Sequence, residues 1–113
     1  MQEPRSLFLA GEQWSKQAVA IFLAIHEHQE KHGKEIPLNN MLILQDAASR
    51  LNIPLVRDLS ERRQITQQLL VVWSGLFDRY LHEGWDLTAL EFPLFFVTPE
   101  GTMILREIVT QLS

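Results

Sequence analysis

Residues 18–25 read Ala-Val-Ala-Ile-Phe-Leu-Ala-Ile, an unbroken apolar run inside a longer pattern with helical spacing. Trp14, Ala18, Ile21, Ile25, His28 and His32 recur at alternating steps of four and three, which puts them on one face of a helix ending near Gly33. Val19, Phe22 and Leu23 widen that stripe almost to a full ring. A surface helix keeps one polar face, so this one is expected at the centre of its domain or buried in a dimer. The run is far too short to cross a bilayer.

A chain of 113 residues with 46% hydrophobic content has room for one core. A single domain over 1–113 is expected, with 1–10 loosely ordered. The absence of cysteine excludes a disulfide framework, thiolate metal sites and cysteine nucleophiles, and suits a reducing compartment. Residues 1–6 lack the basic start and long apolar core of a secretory signal. A cytoplasmic protein with no membrane partner is the expectation.

The rest of the chain reads as alternating helices and short links. Ile36-Pro37 disfavours helix and marks an extended connection. Asn39 or Asn40 can cap a second helix over 41–51, with Leu44, Ala47, Ala48 and Leu51 on its apolar face, and Asn52-Ile53-Pro54 stops it. Asp58 and Glu61 resemble a capping pair opening a third, longest helix, which the apolar spacing carries to Gly84. Its main stripe is Ile65, Leu69, Val72, Leu76 and Tyr80, and a bend is expected at Ser74-Gly75 in preference to a break. Residues 86–90 read as an irregular arm. Leu94-Phe95-Phe96-Val97 has strong β propensity, and Pro93 before it argues for an edge strand. Thr98 as cap, Pro99 at the first helical position and Glu100 in the first turn open a closing helix.

This order, with the segments 44–53 (LQDAASRLNI), 76–84 (LFDRYLHEG) and 97–101 (VTPEG), resembles the winged helix-turn-helix domains over residues 40–105. The resemblance implies a mainly α, winged-helix-like domain with a short β-hairpin or edge strand before the C-terminal helix. It also implies a DNA-binding transcriptional regulator that reads a major groove with the start of the third helix. That start offers Arg57, Arg62, Arg63, Gln64, Thr66, Gln67 and Gln68, and arginine and glutamine can pair bidentately with guanine and adenine edges.

Two features depart from the pattern. The third helix is longer than a usual recognition helix, and no Lys or Arg occurs between Arg79 and Arg106 to hold phosphates at a wing. The net charge of -4 also opposes nonspecific attraction to nucleic acid. The alternative is a protein-interaction or scaffold module that captures a partner with Trp85, Phe92, Phe95 and Phe96. Surplus apolar surface at 18–25 and 69–73, together with an aromatic edge strand, points to a homodimer.

Enzymatic chemistry finds little support. The five glycines, at 11, 33, 75, 84 and 101, form no phosphate loop, and the serines have no partnered histidine nearby in sequence. His28 and His32 stand one helical turn apart and could reach one ion, but no third ligand completes a motif. Imidazoles there also suit the negative end of the helix dipole. The expectation is therefore a binding protein without metal or cofactor.

Overall fold

A helix so uniformly apolar needs cover on every side, and the rest of the chain supplies it. In a computed structural model, which describes residues 4–33, 38–51, 67, 69, 71–76, 79–83 and 94–112, helix α1 (Lys16–His32) buries all of residues 18–25. Helices α2 (Asn40–Arg50) and α4 (Pro99–Leu112) pack against it. Between them comes α3, whose described helical residues are 67, 69 and 71–75. The fold is mainly helical. One contiguous core cluster joins Leu7, Trp14, Phe22, Ile43, Trp73, Tyr80, Phe95 and Ile108, among others.

The chain enters this core through a hairpin that the helical periodicity hides. Strands β1 (Leu7–Leu9) and β2 (Glu12–Trp14) pair antiparallel, with Leu7 opposite Trp14 and Leu9 opposite Glu12. Leu7, Leu9 and Trp14 are buried, so the loose start expected over 1–10 does not hold from Leu7 onward. Trp14 likewise belongs to β2 and not to the helix whose stripe it extends. Ser15 explains the boundary: its extended backbone and its Oγ, which accepts from the Ala18 N–H at 3.2 Å, cap α1. At the other end Gly33 donates its N–H to the Gln29 carbonyl at 2.8 Å, where the sequence places the stop.

Strands β3 (Leu38–Asn39), β4 (Leu81–Glu83) and β5 (Leu94–Val97) form an antiparallel sheet in the order β3-β5-β4. Two expectations are corrected here. Strand β5 is central, not an edge: Phe95 pairs with Leu38 on one side and Glu83 on the other. Pro93 had argued for an edge, but it lies outside the described residues, and Leu94 and Phe95 after it pair with β3.

The third helix, in turn, does not run to Gly84, and Ser74-Gly75 is an end instead of a bend. Helix stops at residue 75. The Leu76 N–H turns back to the Trp73 carbonyl at 3.1 Å, and the Tyr80 and Leu81 N–H groups both donate to the Leu76 carbonyl. Leu81, wholly buried, then enters the ladder opposite Val97. Apolar spacing at 76–81 fits a helix, but pairing with β5 satisfies the same backbone and buries the same side chain.

Helix α4 begins as its sequence signals require. Thr98 Oγ1 accepts from the Gly101 N–H at 3.1 Å and donates to the Arg79 carbonyl at 2.7 Å, while the Thr98 N–H donates to the Tyr80 carbonyl at 2.9 Å. Gly101 lies so close to this turn that a Cβ there would overlap the Tyr80 carbonyl oxygen and press on Val97. The stops and starts at 52–54, 58–61 and 84, the link at 36–37 and the arm at 86–90 lie outside the described residues.

Two stability measurements check this account. Gly101→Ala should lower the unfolding free energy by about 2–3 kcal/mol in urea titrations, because the added methyl meets backbone that cannot step aside. Ala10 and Gly11 both have positive φ, 50° and 81°, as a tight two-residue hairpin turn requires. Ala10→Asn should therefore raise the urea midpoint, by about 0.5–1 kcal/mol in free energy, since asparagine tolerates the left-handed region better than alanine.

Candidate functional site

Helices α2 and α3 carry the surface on which the sequence reading concentrates. Helix α2 is held on α1 by Ile43 and Ala47, both buried, with Leu44, Ala48 and Leu51 filling the margin. An ion pair closes the same interface. Arg50 at the end of α2 meets Glu27 of α1 through Nη2, and its Nε lies 3.4 Å from Asp46 Oδ1. Glu27 also holds Lys31 at 3.2 Å. Burial pulls the Arg50 guanidinium below its ordinary pKa, and its two carboxylate partners keep it charged. Arg50 is thus spent within the fold.

Among the described residues of α3, Leu69 and Trp73 are buried, as is Leu76 just beyond its end, whereas Gln67, Val71 and Ser74 face solvent one turn apart. Of the proposed base-reading residues, Gln67 is described and exposed. Arg57, Arg62, Arg63, Gln64, Thr66 and Gln68 lie outside the described residues, as do Trp85 and Phe92 of the proposed aromatic surface.

Phe95 is a correction. It is 0% exposed and packs edge-on against Trp73, with ring centroids 4.7 Å apart. It therefore holds the sheet to α3 and cannot meet a partner. Phe96, on the opposite face of the strand, is half-buried. The apolar surplus expected to drive dimerisation is also reduced, because residues 18–25 are covered within one chain. The large apolar side chains left exposed among the described residues are Phe8, Leu42, Val71 and Met103, each on a different element.

His28 and His32 come together as their spacing implies, with ring centroids 4.6 Å apart. Among the described residues no group of three His, Cys, Asp or Glu side chains could hold a metal ion. Burial, then the charges of His32 and Lys31, hold the His28 imidazole below its ordinary pKa.

The sequence reading missed a second polar junction. Arg79, in the turn before β4, reaches Glu100 of α4 at 3.0 Å and Glu12 of β2 at 3.5 Å, tying hairpin, turn and closing helix together at the surface. Beneath it Tyr80 packs against Trp14 and Phe22 at 4.9 and 6.4 Å. Burial raises the Tyr80 phenol pKa while Arg79 opposes the shift. Glu12 and Glu100 lie 88 positions apart in the chain, too far for any local pattern to connect them.

Comparison with protein-family models, curated proteins and solved structures finds no match to this chain. No described helix is long and apolar enough to cross a membrane.

The His28 environment has a pH consequence. Because its folded pKa is lowered, the folded state binds fewer protons than the unfolded state as pH falls through the ordinary imidazole value of about 6.5. Its contribution to stability is complete above that value and is lost below it. The urea midpoint of the wild type should drop between pH 7.5 and 5.5 (both approximate working values), and His28→Gln should show a smaller drop.

Proposed function

We propose that this chain is a winged-helix-like, non-enzymatic DNA-binding regulator. The observation that carries the reading is the element order α1, β3, α2, α3, β4, β5, with the hairpin β4–β5 joined to β3 and following directly on the two-helix unit. We read that order as support for the winged-helix resemblance. It leaves the outer face of α3 uncovered by any described side chain of the core, with Gln67, Val71 and Ser74 directed to solvent. The sequence ahead of Gln67 supplies Arg57, Arg62 and Arg63, the charge that phosphate contact needs. The negative overall charge opposes association with DNA, so contact rests on that one segment.

A second reading, a protein-interaction module acting as a homodimer or with another protein, draws on the exposed Phe8 of β1 and Met103 of α4, 65% and 67% accessible. These are single side chains on separate elements. Isolated exposed hydrophobics are ordinary on soluble domains, so they support it less strongly than the element order supports the first.

Fluorescence anisotropy with a mixed-sequence duplex separates the two. Affinity should fall steeply with salt, and Arg62→Ala/Arg63→Ala should weaken binding at low salt and lower the slope of log affinity against log salt by about two. Absence of binding at low salt removes the DNA reading and leaves partner capture.

A further inference from the structure

The last two turns of α1 carry several charged groups that are paired with one another. His26 lies 4.0 Å from Glu30, Lys31 is held by Glu27, and Glu27 also takes Arg50 of α2, whose guanidinium lies against Asp46. His28 and His32 stand outside this network. Neither imidazole has a hydrogen-bond or ion-pair partner among the described residues, and their rings meet each other, 4.6 Å apart between centres and tilted by 44°. His28 is half-buried and His32 is exposed, so solvent reaches the pair.

We infer that His28 and His32 together form a binding site for a divalent transition-metal ion that prefers imidazole nitrogen, Cu²⁺ ahead of Zn²⁺, at the C-terminal end of α1. Residues four apart on a helix face the same side, which lets two imidazoles reach one ion. The ring separation fits such a chelate. An ion about 2.0–2.1 Å from an imidazole nitrogen sits about 3.2 Å from that ring's centre, so two rings at roughly 90–109° around it have centres about 4.5–5.2 Å apart. The observed 4.6 Å falls in that range without any movement of the backbone. Burial of residues 18–25 anchors the helix, and the Gly33 N–H closes its last turn on the Gln29 carbonyl at 2.8 Å, so the pair stands on a fixed support. No third His, Cys, Asp or Glu among the described residues joins it. The remaining coordination positions therefore fall to water, and the order of affinity follows the metal's own preference for imidazole. The carbonyl end of a helix favours a cation, and Lys31, between the two histidines in sequence, is drawn to Glu27 at 3.2 Å. A bound ion clamps the turn that carries Glu27 and so stiffens the joint with Arg50 of α2. This site stands independently of what the outer face of α3 binds.

Isothermal titration of the full chain with Cu²⁺ and with Zn²⁺, at about pH 7.5, above the ordinary imidazole value, tests the assignment. Wild type should take one ion per chain and hold Cu²⁺ more tightly than Zn²⁺, and Mg²⁺, which demands oxygen ligands, should give no binding heat. His28→Gln and His32→Gln should each weaken Zn²⁺ by about tenfold or more, because each leaves a single imidazole. His26→Gln, two residues away in the same turn, should bind as wild type does. Zn²⁺ at about ten times its Kd should raise the melting temperature by roughly 5 °C, and EDTA should reverse the rise. Metal-free melts of the variants establish that they are folded. Absence of saturable Zn²⁺ and Cu²⁺ binding overturns the inference, as does binding that is unchanged in the His28→Gln/His32→Gln double variant or weakened equally by His26→Gln. One ion per two chains assigns the histidines to a bridge between copies and overturns the single-chain site.

Discussion

The structure depends on the complete burial of residues 18–25 in α1. Each fully buried Ile, Leu or Phe side chain contributes about 1.5–3 kcal/mol relative to exposure, and no single neighbour can cover a helix apolar on all sides. Helix α2 and helix α4 therefore both pack on it, and Phe22 reaches Trp14 of β2, with ring centroids 5.5 Å apart. The first hairpin, which any purely helical reading of the N-terminal region omits, exists because this surface must be closed.

The second organising point is the junction where β4, β5 and α4 meet. The Tyr80 carbonyl takes the Thr98 N–H, the Arg79 carbonyl takes the Thr98 hydroxyl, and Gly101 fits against the same turn with no space for a side chain. This joint sets where α3 ends and where α4 starts. It also directs α3: Trp73 is pinned against Phe95 of the central strand, so the face carrying Gln67, Val71 and Ser74 turns outward. The exposure of this face of α3 is thus a product of the sheet behind it.

Much of the fold was legible in the sequence where signals were local. The cap and first turn of α4, the stop of α1 at Gly33 and the apolar face of α2 follow from neighbouring residues competing for nearby backbone groups. The candidate site was legible only in part. Nothing near Arg50 in the sequence shows that Glu27, 23 positions earlier in the chain, is brought against it. Phe95 reads as part of an aromatic surface until its strand proves central. Within the apolar stretch 69–73 the sequence does not say which side chains are covered, and only the packing of Trp73 on Phe95 leaves Val71 facing solvent.

By itself the sequence determined the mainly helical class, the centrality of α1, the strand before the last helix and the place where that helix begins. These rest on periodicity and on side-chain-to-backbone bonds spanning a few residues. Tertiary structure alone decided that residues 81–83 pair as a strand and do not continue α3, that Trp14 closes a hairpin, and which arginine is spent inside the fold. In each of these cases two local conformations satisfy the same side-chain pattern. The choice falls to a backbone or charge partner distant in the chain, whose hydrogen bonds and buried surface no short window of sequence contains.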